Sequence, residues 1–209
     1  MKKLTALCLV LMLVLSCAAC SSSGPKVDVP TYELDSSLGL SDSVLDGQLA
    51  IEGVVYQMPI QVSQLEADGW SYDFGSEVLE PGNFGMVHFS KDGMSFTTKV
   101  ANEYGEAKPV AECHVAAMTF GPQTADYEFY YTTKGNKLAN VQFSSGVNIS
   151  STEKQLRAAL GEPSTTASLS WWGDNGKYLN PGHSFSVHYN EDGTLHSITV
   201  EYLPKDFQP

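Results

Sequence analysis

The sequence predicts an α+β protein: two repeats of a short helix packed on antiparallel β-strands, behind a signal peptide and a flexible tether. Three observations carry that expectation. Short runs of alternating apolar and polar residues are punctuated by Asp-Gly and other glycine turns, the pattern of half-buried strands joined by hairpins. One segment, Thr152–Leu160, has helical spacing with start and stop signals around it. Two hairpin sequences also recur one hundred residues apart, Val87-His88-Phe89-Ser90-Lys91-Asp92-Gly93 and Val187-His188-Tyr189-Asn190-Glu191-Asp192-Gly193.

The chain opens MKKLTALCLVLMLVLSCAACSSSG. Two lysines precede a twelve-residue apolar run, Leu4–Leu15, followed by small residues, cysteines and serines. That is the three-part order of a bacterial secretory signal. As a helix the run spans roughly 18 Å, short of the ~30 Å hydrocarbon core, so it reads as a signal segment and not as a finished membrane span. Ala18-Ala19-Cys20-Ser21-Ser22-Ser23-Gly24 resembles the lipobox of bacterial lipoproteins, with Cys17 where that family usually has leucine. The resemblance implies a diacylglyceryl thioether on Cys20, palmitate-class acylation and cleavage just before the cysteine. A second register, Val14-Leu15-Ser16-Cys17, places the lipid on Cys17 instead. Each buried methylene contributes about 0.8 kcal/mol, so two acyl chains retain a protein that one would release.

The expected organisation is a signal peptide over 1–19, a tether over 20–46, a first α+β repeat with extra strands over 47–135, and a second α+β repeat over 136–209. Aromatics make up 11% of the chain, enough for a packed core and too many for a disordered stalk. The formal charge is −12, and losing Lys2 and Lys3 with the signal takes it to −14. Phosphates repel such a surface, which excludes nucleic acid as a partner. Three of the four cysteines lie in or beside the signal, leaving Cys113 alone in the body and no disulfide framework.

In chain order, 21–46 is rich in Ser, Pro, Asp and Gly, as a tether would be. Leu49–Ile51 and Val54–Tyr56 form a hairpin across Gly53, and Val62–Asp68 a short helix that Gly69 ends. Trp70, Tyr72 and Phe74 alternate as one strand face. Met86–Ser90 and Met94–Val100 flank Asp92-Gly93, a strong hairpin signal. Further strands are expected at Val110–Phe120, Tyr127–Thr132 and Leu138–Phe143. Ser150 caps the helix 152–160 with Glu153 reaching back, as in a capping box, and Gly161 and Pro163 stop it. Strands near Ser168–Trp172, Ser184–Tyr189 and Leu195–Tyr202 complete the chain.

Gly146-Val147, Ser151-Thr152-Glu153-Lys154-Gln155-Leu156, Leu160-Gly161-Glu162-Pro163 and the strands around Asp192-Gly193 resemble the repeat of β-lactamase-inhibitor-protein-like and BamE-like domains. The layout also resembles uncharacterised surface lipoproteins of Gram-positive bacteria. What the resemblance implies is a helical segment on one face of an antiparallel sheet, and a non-enzymatic binding module.

The chemistry-bearing candidates are few. His88 and His188 hold equivalent hairpin positions on polar strand faces, with Ser90, Ser184, Ser186 and Asn190. A metal-binding or pH-sensing pair is the sharp reading, and two solvated residues the favoured one. Cys113 and His114 are adjacent in a strand, so their side chains diverge and the thiol reads as buried. No zinc spacing, calcium loop, phosphate loop, serine elbow or zinc-protease motif is present, and no metal, cofactor or catalytic residue is expected. The loop from Trp171-Trp172 to Tyr178 and Gly182 combines aromatics with Gly, Asn and Pro. That suits a recognition surface with Trp171, Trp172 and Tyr178 as contacts. The expectation is an extracytoplasmic lipoprotein, anchored to the cell membrane by its lipid, that binds an envelope protein or peptide. An assembly scaffold and an enzyme acting on an envelope polymer are the alternatives.

Overall fold

The computed structural model describes residues 29–74, 77–122, 137–165, 169–173 and 182–202. The expected strand at Tyr127–Thr132 lies outside them, as do Cys17, Cys20 and Tyr178. Among the described residues the strands are β1 Gln48–Ile51, β2 Val54–Gln57, β3 Ile60–Gln61, β4 Ser71–Asp73, β5 Val78–Leu79, β6 Phe84–Lys91, β7 Met94–Ala101, β8 Lys108–Pro109, β9 His114–Phe120, β10 Val141–Phe143, β11 Val147–Asn148, β12 Leu169–Gly173, β13 His183–Tyr189 and β14 Leu195–Tyr202. The α-helices among the described residues are α1, Val62–Ala67, and α2, Glu153–Leu160.

The large antiparallel sheet runs β12-β13-β14-β9-β7-β6-β4, with β3 added to β9. A smaller sheet runs β11-β10-β1-β2, and β5 pairs with β8. Both hundred-residue-spaced hairpins form, at the β6–β7 and β13–β14 turns. Asp92 and Gly93 sit at φ 50° and 79°, which is why Asp-Gly marks the first so clearly.

The expected architecture of two helix-on-sheet repeats is corrected: the protein is mostly antiparallel β-sheet. The helices are too small to cover a sheet. α1 buries only Val62 and Leu65, and α2 only Leu156. A second sheet takes that role, contributing Leu49, Ile51, Tyr56, Val141, Phe143 and Val147 to the same core as the large sheet. Its β1 and β10 lie on either side of the expected boundary at 135/136 and pair with each other.

The core reads as a chain of rings across the large sheet. Trp171 meets Phe185 at 6.0 Å, Phe185 meets Phe143 of the small sheet at 5.1 Å, and Phe143 meets Phe120 at 6.1 Å. Phe120, Phe96 and Phe89 continue at 5.2 and 5.4 Å. Edge-to-face and offset pairs of this kind add about 0.5–1.5 kcal/mol beyond their burial.

Two local expectations also shift. α2 is capped by Thr152, with Gln155 completing the capping box, because the Ser150 hydroxyl already accepts the Tyr32 amide at 3.1 Å. Residues 29–46, expected as part of a tether, form a strap on the fold. The Tyr32 hydroxyl donates to the Leu138 carbonyl at 2.9 Å, Asn148 Nδ2 donates to the Tyr32 carbonyl at 2.8 Å, and Asp35 and Gln142 exchange bonds of 2.8 and 3.1 Å. Val44 enters the core. Among the described residues no helix is long and apolar enough to cross a membrane.

Candidate functional site

Side chains alternate along a strand, so the register of the large sheet assigns each to one of two faces. Val87, Met118, Val200, Phe185 and Trp171 lie on the core face with the small sheet behind them. The other, outer face carries the exposed side chains Met86 and Trp172, while Thr97, Ala117, Ser170 and Ser184 on it are buried. Two rows of side chains cross it, perpendicular to the strands.

The first row is Asp73–His88–Thr97–Thr119–Thr199–Ser186–Ser170, each residue registered opposite the next. Its hydroxyls bond one another across the strands: Thr119 and Thr199 at 3.0 Å, and Ser186 donating to Ser170 at 2.9 Å. Such cross-strand pairs knit the sheet as well as lining its face. Thr97 Oγ1 lies 3.5 Å from His88 Nδ1. Burial lowers the His88 pKa, and the Asp73 carboxylate partly offsets this.

The second row is Met86–Lys99–Ala117–Glu201–Ser184–Trp172. Its two ends carry large exposed apolar side chains, Met86 at 56% and Trp172 at 47%. Its middle is small or charge-balanced. Lys99 and Glu201 approach to 3.7 Å across Ala117, and the Lys99 ammonium also lies 4.2 Å from the centre of the Phe84 ring. Five inter-strand steps of about 4.8 Å make this row roughly 24 Å long.

The two tryptophans separate as their alternation requires. Trp171 is 6% exposed, its indole N–H donating to the Gly161 carbonyl at 3.2 Å. It is a core residue, and the contact role expected for the pair falls to Trp172. His88 and His188 both face outward, but four strand steps separate them by roughly 19 Å, so they form no pair. Cys113 and His114 diverge. The Cys113 thiol is buried, bonds the Pro109 carbonyl at 3.4 Å, and is pushed up in pKa by that burial and then by the Glu112 and Glu103 carboxylates. His114 Nδ1 meets Glu103 at 2.7 Å, beside the Tyr104 ring. A raised thiol pKa with no adjacent base is the opposite of an activated nucleophile.

Among the described residues no group of three or more His, Cys, Asp or Glu side chains could hold a metal ion. A shallow cleft of about 350 Å³ lies where the strap passes the β13–β14 turn, lined by Val29, Thr31, Thr152 and Tyr189 among others. Burial, helped by Glu153, pushes Tyr189 up to about 12, and its hydroxyl donates to the Ser151 carbonyl at 2.8 Å. Met86 and the threonine row escaped the sequence reading, although the alternation of Met86, His88 and Ser90 against Val87 and Phe89 carries the signal. No protein-family model, curated protein or solved structure matches the chain.

Proposed function

We propose that this chain is a lipid-anchored lipoprotein of the bacterial cell envelope that binds a protein partner, with no chemistry of its own, through the outer face of its large sheet. The observation that supports the site is the second row, with Trp172 and Met86 exposed at its ends and a neutral middle between them. Aromatic residues and methionine are enriched where protein interfaces bury most surface, and charged residues are depleted there. A row about 24 Å long suits the ~800 Å² that one partner contributes to a standard interface. The envelope placement is supported by the lysines, apolar run and lipobox-like residues ending at Cys20.

The test is a cross-linking pull-down from intact cells, comparing the native protein with a Met86→Ala/Trp172→Ala variant of unchanged melting temperature. A specific protein lost from the variant supports the reading. The same protein retained by the variant moves the site off this face, and the absence of any specific protein contradicts a binding module.

A further inference from the structure

The strap offers a second inference, which goes beyond the binding site and rests on the reading of Cys20 as lipidated. We infer that the strap holds the domain upright on the membrane, with its β6–β7 and β13–β14 turns toward the lipid and its Tyr104 end pointing away.

The first argument is reach. Nine Cα-to-Cα steps lead from Cys20 to Val29, the first described residue, and each spans at most ~3.4 Å, so the leash reaches about 30 Å. Were the strap undocked, the first fixed point would be β1 at Gln48, and twenty-eight residues would reach about 95 Å. The bonds of Tyr32 to Ser150, Leu138 and Asn148 shorten the leash about threefold. The second argument is direction. Val29 lies in the cleft beside Tyr189 and Gly193, at the β13–β14 turn. Through β14, β9 and β7, each antiparallel to its neighbour, β13 and β6 run the same way, so the β6–β7 turn lies at that same end. The eight residues of β7 then carry the chain about 26 Å to the opposite end, where Tyr104 follows. The strap bonds the small sheet and its flanks, behind the core, so it leaves the outer face clear.

The test places one dye at a time on the lipidated protein in phosphatidylglycerol–phosphatidylethanolamine vesicles that carry an acceptor on the headgroups. The positions are Glu191→Cys at the turn and Gly105→Cys at the far end. Both are exposed, and a side chain at 105 meets nothing within 4 Å. Cys113 is fully buried. The ~26 Å offset predicts at least about twofold higher energy transfer from position 191, and Tyr32→Ala, which frees the strap, narrows the difference. Equal or reversed transfer overturns the inference. Mass spectrometry of the mature N-terminus separates the two readings: lipid present with reversed transfer overturns the orientation alone, and no lipid on Cys20 overturns both.

Discussion

Replacing Trp171 and Trp172 by alanine, one at a time, tests the register on which both faces of the large sheet depend. The two residues are neighbours of one type in one strand, so composition and propensity effects cancel. Trp171 is 6% exposed, packs 6.0 Å from Phe185 and bonds Gly161. Truncating such a residue removes its burial and leaves a cavity, at a cost of about 3–5 kcal/mol. Its bond partner Gly161 is exposed, so water replaces the lost donor and adds little. Trp172 is 47% exposed on the outer face, and its truncation costs about 1 kcal/mol. In a chain of this size each kcal/mol lowers the melting temperature by about 2–4 °C, so Trp171→Ala melts roughly 6–20 °C early and Trp172→Ala roughly 2–4 °C early. Scanning calorimetry on the mature protein reads both. Equal losses, or a larger loss for Trp172→Ala, would refute the reasoning, because a one-residue slip exchanges every side chain between the faces.

Four further outcomes are expected. Phe143→Ala, which removes the small-sheet ring between Phe120 and Phe185, lowers stability in urea by about 3–5 kcal/mol. Gly121→Ala unfolds the protein at lower urea than the native chain, because a Cβ there runs into the His196 carbonyl and lies 2.8 Å from Ser197 Cα. Thr152→Ala costs about 1 kcal/mol through the lost cap, measured by the same titration. Tyr189 is raised in the folded state to about 12, so its contribution is complete below the ordinary tyrosine value near ~10 and is lost as pH rises toward 12. Alkaline unfolding followed by phenolate absorbance then shows a late-titrating tyrosine that is absent from Tyr189→Phe.

Much of the large sheet was legible because its information is local. Asp92-Gly93 takes positive φ at both residues, and the flanking alternation sets which side chains turn inward. The second sheet was legible only in its β1–β2 hairpin across Glu52-Gly53, since Val141-Gln142-Phe143 pairs with Leu49-Ala50-Ile51 across some ninety residues and nothing in either triplet names its partner. The start of α2 was ambiguous by construction. Ser150 with Glu153 and Thr152 with Gln155 both fit a capping box, and Tyr32 decides between them by occupying Ser150. Composition misread residues 29–46: a Ser- and Asp-rich stretch resembles a linker, yet Tyr32 and Val44 are enough to fasten it. At the site, the sequence reading took Trp171 and Trp172 together, whereas strand alternation sends them to opposite faces. The pairing across six strands was needed to show that Trp172 and Met86 close the same row.

Site-specific photo-cross-linking in intact cells reads whether a protein partner sits on the outer face of the large sheet. A photoreactive residue is placed in turn at Met86, Thr199 and Trp172 on that face, and at Val55 and Val78, exposed residues of other strands. A partner on the outer face gives one common protein adduct from the three outer-face positions and none from Val55 or Val78. An adduct from Val55 or Val78 with none from the outer face would contradict it.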